Sequence, residues 1–143
     1  STPLYSSAAS DVYKRQVPVP DPEVKDLAEQ AARKFGIGPR DFDDREILER
    51  CMYPLINIGA TILEEGIALR ASDIDLVYLN GYGFPVWRGG PMHWAGVIGL
   101  DVVAECVRQY SKKSDLCHWK LSRVLENLAD SGKSFEDYDK ENQ

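Results

Sequence analysis

The residues of this 143-residue chain whose types could do chemistry are two histidines, three cysteines and a few clusters of carboxylates. His93 and Glu105 have the makings of an acid–base pair, in which a carboxylate orients an imidazole that moves protons near neutral pH. A helix break expected at Gly99 lies between them, so their spacing gives no shared face, and His93 is expected to be half-buried or interfacial instead. His118, beside Trp119, reads as a surface residue at a helix start. Glu64, Glu65, Asp73 and Asp75 lie close together, as general acid–base chemistry requires. They have a simpler reading: Asp75 is spaced to serve a cap, and Asp73 falls in a first helical turn, where negative charge meets the helix dipole favourably. Cys51, Cys106 and Cys117 are far apart and match no metal-ligand spacing, and two separated histidines make a poor metal site. Each cysteine adjoins an apolar pattern, the usual setting of a small core hydrophobe, and a reducing compartment is the expectation.

The segment NGYGFPVWRGGPM is rich in glycine, and backbone N–H groups beside a helix start attract anions. Gly81, Gly83, Gly89 and Gly90 nevertheless fit neither GxGxxG nor GxxxxGK[ST], and a helix rather than a strand precedes them. The expected roles are structural: Gly81 ends a helix, Pro85 stiffens a turn, and Gly89 and Gly90 let backbone approach neighbouring helices closely. Trp87 and Arg88 could stack on a ligand or anchor a protein interface, where Trp, Tyr and Arg are enriched, and the interface is preferred. No residue is assigned as catalytic, cofactor-binding or metal-binding.

The elements that must position these residues are helical. Asp21 with Pro22 is a helix start, and Leu27, Ala28, Ala31, Ala32 and Phe35 give one apolar stripe that Gly36 and Gly38 end. Asp43 and Glu46 have capping-box spacing at the head of the longest helix, on which Leu48, Cys51, Met52, Leu55, Ile56, Ile62 and Leu63 recur through to Gly66. Pro54 is expected to kink that helix or divide it. Ser72 and Asp75 repeat the capping-box spacing before a short helix with Ile74, Val77 and Tyr78 on its buried side. A helix from Met92 breaks at Gly99, and Leu100, Val103, Ala104 and Val107 follow on one face to about Tyr110. Leu121, Val124, Leu125 and Leu128 make a last helix that Gly132 stops. There is no alternating strand of useful length, so the class is all-α, a compact domain of about five to six helices around a long helix kinked near Pro54.

Composition sets the bounds. With 43% apolar and 28% charged residues the chain suits one globular domain rather than a disordered tail. The net charge of −6 is spread along the sequence, so no basic face exists to displace counterions from nucleic acid. No apolar run is long enough to span a membrane. Residues 1–16, STPLYSSAASDVYKRQ, lack either periodicity and read as a non-native or disordered leader, leaving 17–143 as the domain.

The stretch ERCMYPLINIGATILEEGIALRASDIDLVYLNGYGFPVWRGGPMHWA, with WKLSRVLENLADSGKSF near the end, resembles the C-terminal helical domain of the 3-hydroxyacyl-CoA dehydrogenase family. It is similar to the second of the two copies found in multifunctional fatty-acid β-oxidation enzymes, and the likeness runs from about Asp21 to Lys140. The resemblance implies a parent that oxidises (3S)-3-hydroxyacyl-CoA to 3-oxoacyl-CoA with NAD, through a His–Glu pair on a Rossmann domain absent here, with an enoyl-CoA hydratase domain upstream. It implies that this piece binds no cofactor, is inactive alone, and packs on the sibling first helical domain and the Rossmann domain; acyl-CoA meets only the parent. Glu49 and Arg50 stand where the first copy has Asn-Arg, and Ile58 stands where glutamate is expected. The contact surface is expected at Tyr82, Phe84, Pro85, Trp87, Arg88, Gly89, Gly90, Met92 and His93. The alternatives are a freestanding helical interaction module and a small enzyme built on His93. The expected location is the cytoplasm, as for a bacterial-type parent, with the peroxisome the alternative for a eukaryotic one.

Overall fold

The computed structural model describes residues 10–11, 19–38, 41–114 and 116–142, so most of the leader 1–16 lies outside the described residues. The chain forms two compact units, Ser1–Phe42 and Asp43–Gln143. In the first, Ser10–Asp11 and Val19–Pro20 pair as two-residue antiparallel strands β1 and β2, and helix α1 spans Pro22–Lys34. Asp21 caps α1 by accepting the Glu23 N–H at 2.9 Å, as its spacing predicts. The stripe of α1 is not buried: Leu27 and Phe35 are both exposed.

The second unit holds six helices: α2 (Asp44–Glu64), α3 (Ala71–Gly81), α4 (Pro91–Ile98), α5 (Leu100–Ser111), α6 (Arg123–Ser131) and α7 (Phe135–Glu141). Single 3-10 turns sit at Val86–Arg88 and Cys117–Trp119. The class is all-α as expected, with seven helices among the described residues in place of five to six. The extra one is α7, which a capping box between Ser134 and Asp137 starts.

Helix α2 is the central element, packed against α4, α5, α6 and the 117–119 turn. It runs unbroken through Pro54, so the proline does not divide it. Its buried side is Tyr53, Ile56, Asn57, Ala60 and Leu63, whereas Leu48 and Cys51, expected on that side, are exposed. The buried face is centred on Ile56, Asn57 and Ala60, so a polar residue that an apolar count leaves out lies within it. Asn57 is fully buried and fully used. Its Nδ2 donates to the carbonyls of His118 (3.0 Å) and Lys120 (2.8 Å), and its Oδ1 accepts the Ser122 N–H (2.9 Å). One amide thus satisfies three backbone groups of the segment leading into α6, which would otherwise be buried unpaired.

The cysteine expectation holds only for Cys106, which packs on the core; Cys51 and Cys117 are exposed. Burial, and then the neighbouring Glu49 carboxylate, push the Cys106 thiol up to about 12, away from the thiolate form that nucleophilic chemistry needs. His118 is half-buried rather than on the surface, its ring tilted against buried Trp119. Leu100, Val103, Ala104 and Val107 are all buried along α5, and the break at Gly99 is made by a φ of +104°.

Candidate functional site

Two of the candidate carboxylates, Asp75 and Glu64, are helix caps reaching across the fold, and Asp139 is a third such cap. An α-helix leaves its first amides without partners, and a carboxylate from elsewhere can satisfy two at once. Asp75, buried on α3, accepts the N–H groups of Met92 (2.7 Å) and His93 (3.0 Å) at the head of α4. Burial pushes its carboxyl up, and the two amide donors oppose that. Asp139 on α7 accepts the N–H groups of Ala71 (2.6 Å) and Ser72 (3.0 Å) at the head of α3. Glu64, at the end of α2, receives the Ser122 hydroxyl (3.0 Å), the Arg123 N–H (2.9 Å) and the Arg123 Nε (2.7 Å) at the head of α6. Arg123 therefore holds the Glu64 carboxyl below its ordinary range.

The expected Ser72–Asp75 cap is corrected by this arrangement. Ser72 lies inside α3, the N-cap position is Arg70 with no side-chain bond, and Asp75 caps a different helix. Asp73 does sit in the first turn, paired with Arg70 at 2.7 Å, which lowers its carboxyl pKa.

His93 and Glu105 do not meet. The imidazole Nδ1 lies 3.1 Å from Glu136 on α7, while Glu105 on α5 accepts from Gln109 at 3.2 Å. The His93 and Glu136 side chains are 48% and 63% exposed, so the pair is solvated and lacks the water-excluding enclosure that proton-transfer sites use. It lies on an open groove of about 630 Å³ between α3, α4 and α7, whose apolar lining includes Leu76, Leu79 and Val97.

The glycine loop is built as its composition predicts. Gly81 closes α3, and Gly89 and Gly90 have φ of +74° and +106°. A Cβ on Gly90 would strike the Asp75 side chain, and one on Gly59 would come within 2.6 Å of Met92 Sδ. The loop also does not fit a dinucleotide: the α4 amides that could cradle a phosphate are already filled by Asp75.

What the loop presents outward is apolar. Tyr82, Val86 and Trp87 are 72%, 77% and 78% exposed, Pro85 is exposed, and Phe84 is half-buried. Met92 is corrected by the structure: at 1% exposure it is a core residue and offers no surface, and Gly90 is buried beside it. Elsewhere Glu49 receives Arg45 (2.7 Å) and the Tyr110 hydroxyl (3.2 Å), Arg50 lies over the Tyr110 ring, and Ile58 is partly exposed.

Sequence reasoning missed Asn57, Glu136 and Asp139. For the last two the Ser134–Asp137 spacing was the available signal; for Asn57 there was none beyond its place in an apolar helix.

Comparison with known proteins gives these features a family. Residues 47–140 match the model of the 3-hydroxyacyl-CoA dehydrogenase C-terminal domain. Over 114 residues the chain is 43% identical to the peroxisomal bifunctional enzyme of Danio rerio and 41% identical to that of Homo sapiens, covering 79% of this chain in each case. It is 33% identical over 123 residues, 83% of the chain, to a peroxisomal fatty acid beta-oxidation multifunctional protein of Arabidopsis thaliana. The chain spans only 16% of the length of the first two and 17% of the third.

Proposed function

Because the chain belongs to the 3-hydroxyacyl-CoA dehydrogenase C-terminal domain family, we propose that it is an end piece of a multifunctional β-oxidation enzyme, contributing domain packing and no catalytic group of its own. The parent oxidises (3S)-3-hydroxyacyl-CoA to 3-oxoacyl-CoA with NAD, and multifunctional parents add enoyl-CoA hydratase activity. NAD and the acyl-CoA belong to the parent's other domains. The partners of this piece are the sibling first helical domain and the Rossmann domain, met through Tyr82, Phe84, Pro85, Trp87, Arg88, Gly89 and His93. The relatives compared above are named as peroxisomal, and we read the parent as peroxisomal in preference to a bacterial-type cytoplasmic protein.

The observation that carries this reading is the use already made of the chemically capable side chains. Asp75, Asp139 and Glu64 hold helix ends, Cys106 is partly buried against the core, and His93 with Glu136 is solvated, while the loop residues Tyr82, Val86 and Trp87 stand in water. An exposed apolar cluster of this kind marks an interaction surface.

The test follows NADH absorbance with NAD and 3-hydroxybutyryl-CoA. The chain alone is expected to be silent, and the upstream remainder of the parent is expected to gain activity or thermal stability when the chain is added. Turnover by the chain alone would overturn the packing role and return His93 to the chemistry; no effect of mixing would favour a freestanding interaction module.

A further inference from the structure

Arg88 sits in the 3-10 turn of the glycine loop with its guanidinium over two indoles, 4.4 Å from the Trp87 ring centroid and 5.0 Å from that of Trp94. Trp94 belongs to the core and Trp87 is 78% exposed, so the guanidinium is held at the core's edge by one fixed ring and one ring facing water. The side chain is half-buried, yet among the described residues no carboxylate pairs with it and no carbonyl accepts from it. Each of the other arginines among the described residues (Arg33, Arg45, Arg50, Arg70, Arg108 and Arg123) meets a carboxylate. Arg88 is also the sole Lys or Arg between Arg70 and Arg108.

We infer that Arg88 is a preorganised receptor for a single carboxylate on the neighbouring domain of the parent, an inference that rests on the packing role proposed above. Stacking on aromatic faces fixes the plane of a guanidinium and leaves its N–H edge free for two parallel bonds to a carboxylate. Because two ring contacts already restrict the side chain before binding, less of its freedom remains to be lost on contact. A cation held over Trp87 and Trp94, with exposed Val86 and Trp87 beside it in the same turn, fits an Asp or Glu set in an apolar protein surface. It does not fit a phosphate, whose larger charge calls for more than one cation or for free helix amides, and those of α4 are occupied by Asp75.

The experiment titrates the full chain against the upstream remainder of its parent by calorimetry, with wild type, Arg88→Lys, Arg88→Gln and Trp87→Ala, each checked for an unchanged circular dichroism spectrum and melting midpoint. Arg88→Gln is expected to weaken binding about tenfold or more, and Arg88→Lys nearly as much, because it keeps the charge and loses the two-pronged geometry. The salt dependence of binding is expected to fall in Arg88→Gln. Binding by Arg88→Gln within about twofold of wild type, with Trp87→Ala weakened, would overturn the carboxylate receptor and leave the packing surface standing. Absence of binding by the wild type would overturn both. In a separate arm coenzyme A alone is titrated while tryptophan fluorescence is followed; binding that depends on Arg88 would overturn the protein carboxylate in favour of a phosphate.

Discussion

Asp75 illustrates how a buried acid can be structural. Replacing it with alanine leaves the buried Met92 amide and the His93 amide without acceptors, and the expected loss is about 3 kcal/mol by urea denaturation. Asp73→Ala, two residues away on the same helix, removes only a surface pair with Arg70, and its expected loss is a small fraction of that. Glu64 gives the pH dependence its sign. Arg123 holds its carboxyl low in the folded chain, so the stability it contributes is complete above the ordinary carboxylate range and drains away as the pH falls below it. Burial acts on Asp75 in the opposite sense, its contribution being fullest in acid and fading as the pH rises through its raised value. Glu64→Gln is therefore expected to flatten the fall in stability as the pH drops through and below the ordinary carboxylate range, measured by denaturation at a series of pH values. Asn57 was not legible as a key residue, because nothing in sequence distinguishes an amide that will meet three backbone partners from one that faces water. Its replacement by alanine is expected to cost about 3 kcal/mol and to loosen the 116–122 segment first, seen as faster amide exchange there.

At the scale of elements, local signals were read well where the chain itself supplies both partners. Asp21 caps its own helix, Gly99 breaks α4 from α5 by its backbone angle, and the α5 stripe falls where the periodicity puts it. Signals failed where the partner is remote. The amides at the head of α3 are taken by Asp139, far along the sequence, so the local Ser72–Asp75 spacing pointed to a cap that does not exist. Helix α7 was missed because FEDYDKE buries only Phe135 and carries no stripe, although its Ser134–Asp137 box was in view. Asp139→Ala is expected to speed amide exchange at Ala71 and Ser72 and to cost about 1 kcal/mol. Gly90→Ala combines a left-handed φ with a clash against Asp75, whereas Gly83→Ala meets strain in open space; Gly90→Ala is expected to lower the melting midpoint several times more.

For the whole molecule, the all-α class was legible because helical periodicity recurs along the chain with no alternating strand, and the family because LEEGIALRASDID and GYGFPVWRGGPM are long and specific. The contact surface was legible only in part. Aromatic residues in a glycine loop could face inward or outward, and the sequence does not say that Met92 tucks onto Gly59 while Trp87 turns to water. The central claim is that this outward face of the loop is where the piece meets the rest of its parent. Amide hydrogen exchange of the chain, alone and with the upstream remainder of the parent added, tests it most directly. The account predicts slowed exchange concentrated in residues 82–93, with the cap-held amides at the head of α6 unchanged. Unchanged exchange at 82–93, with protection appearing elsewhere on the chain, would contradict it.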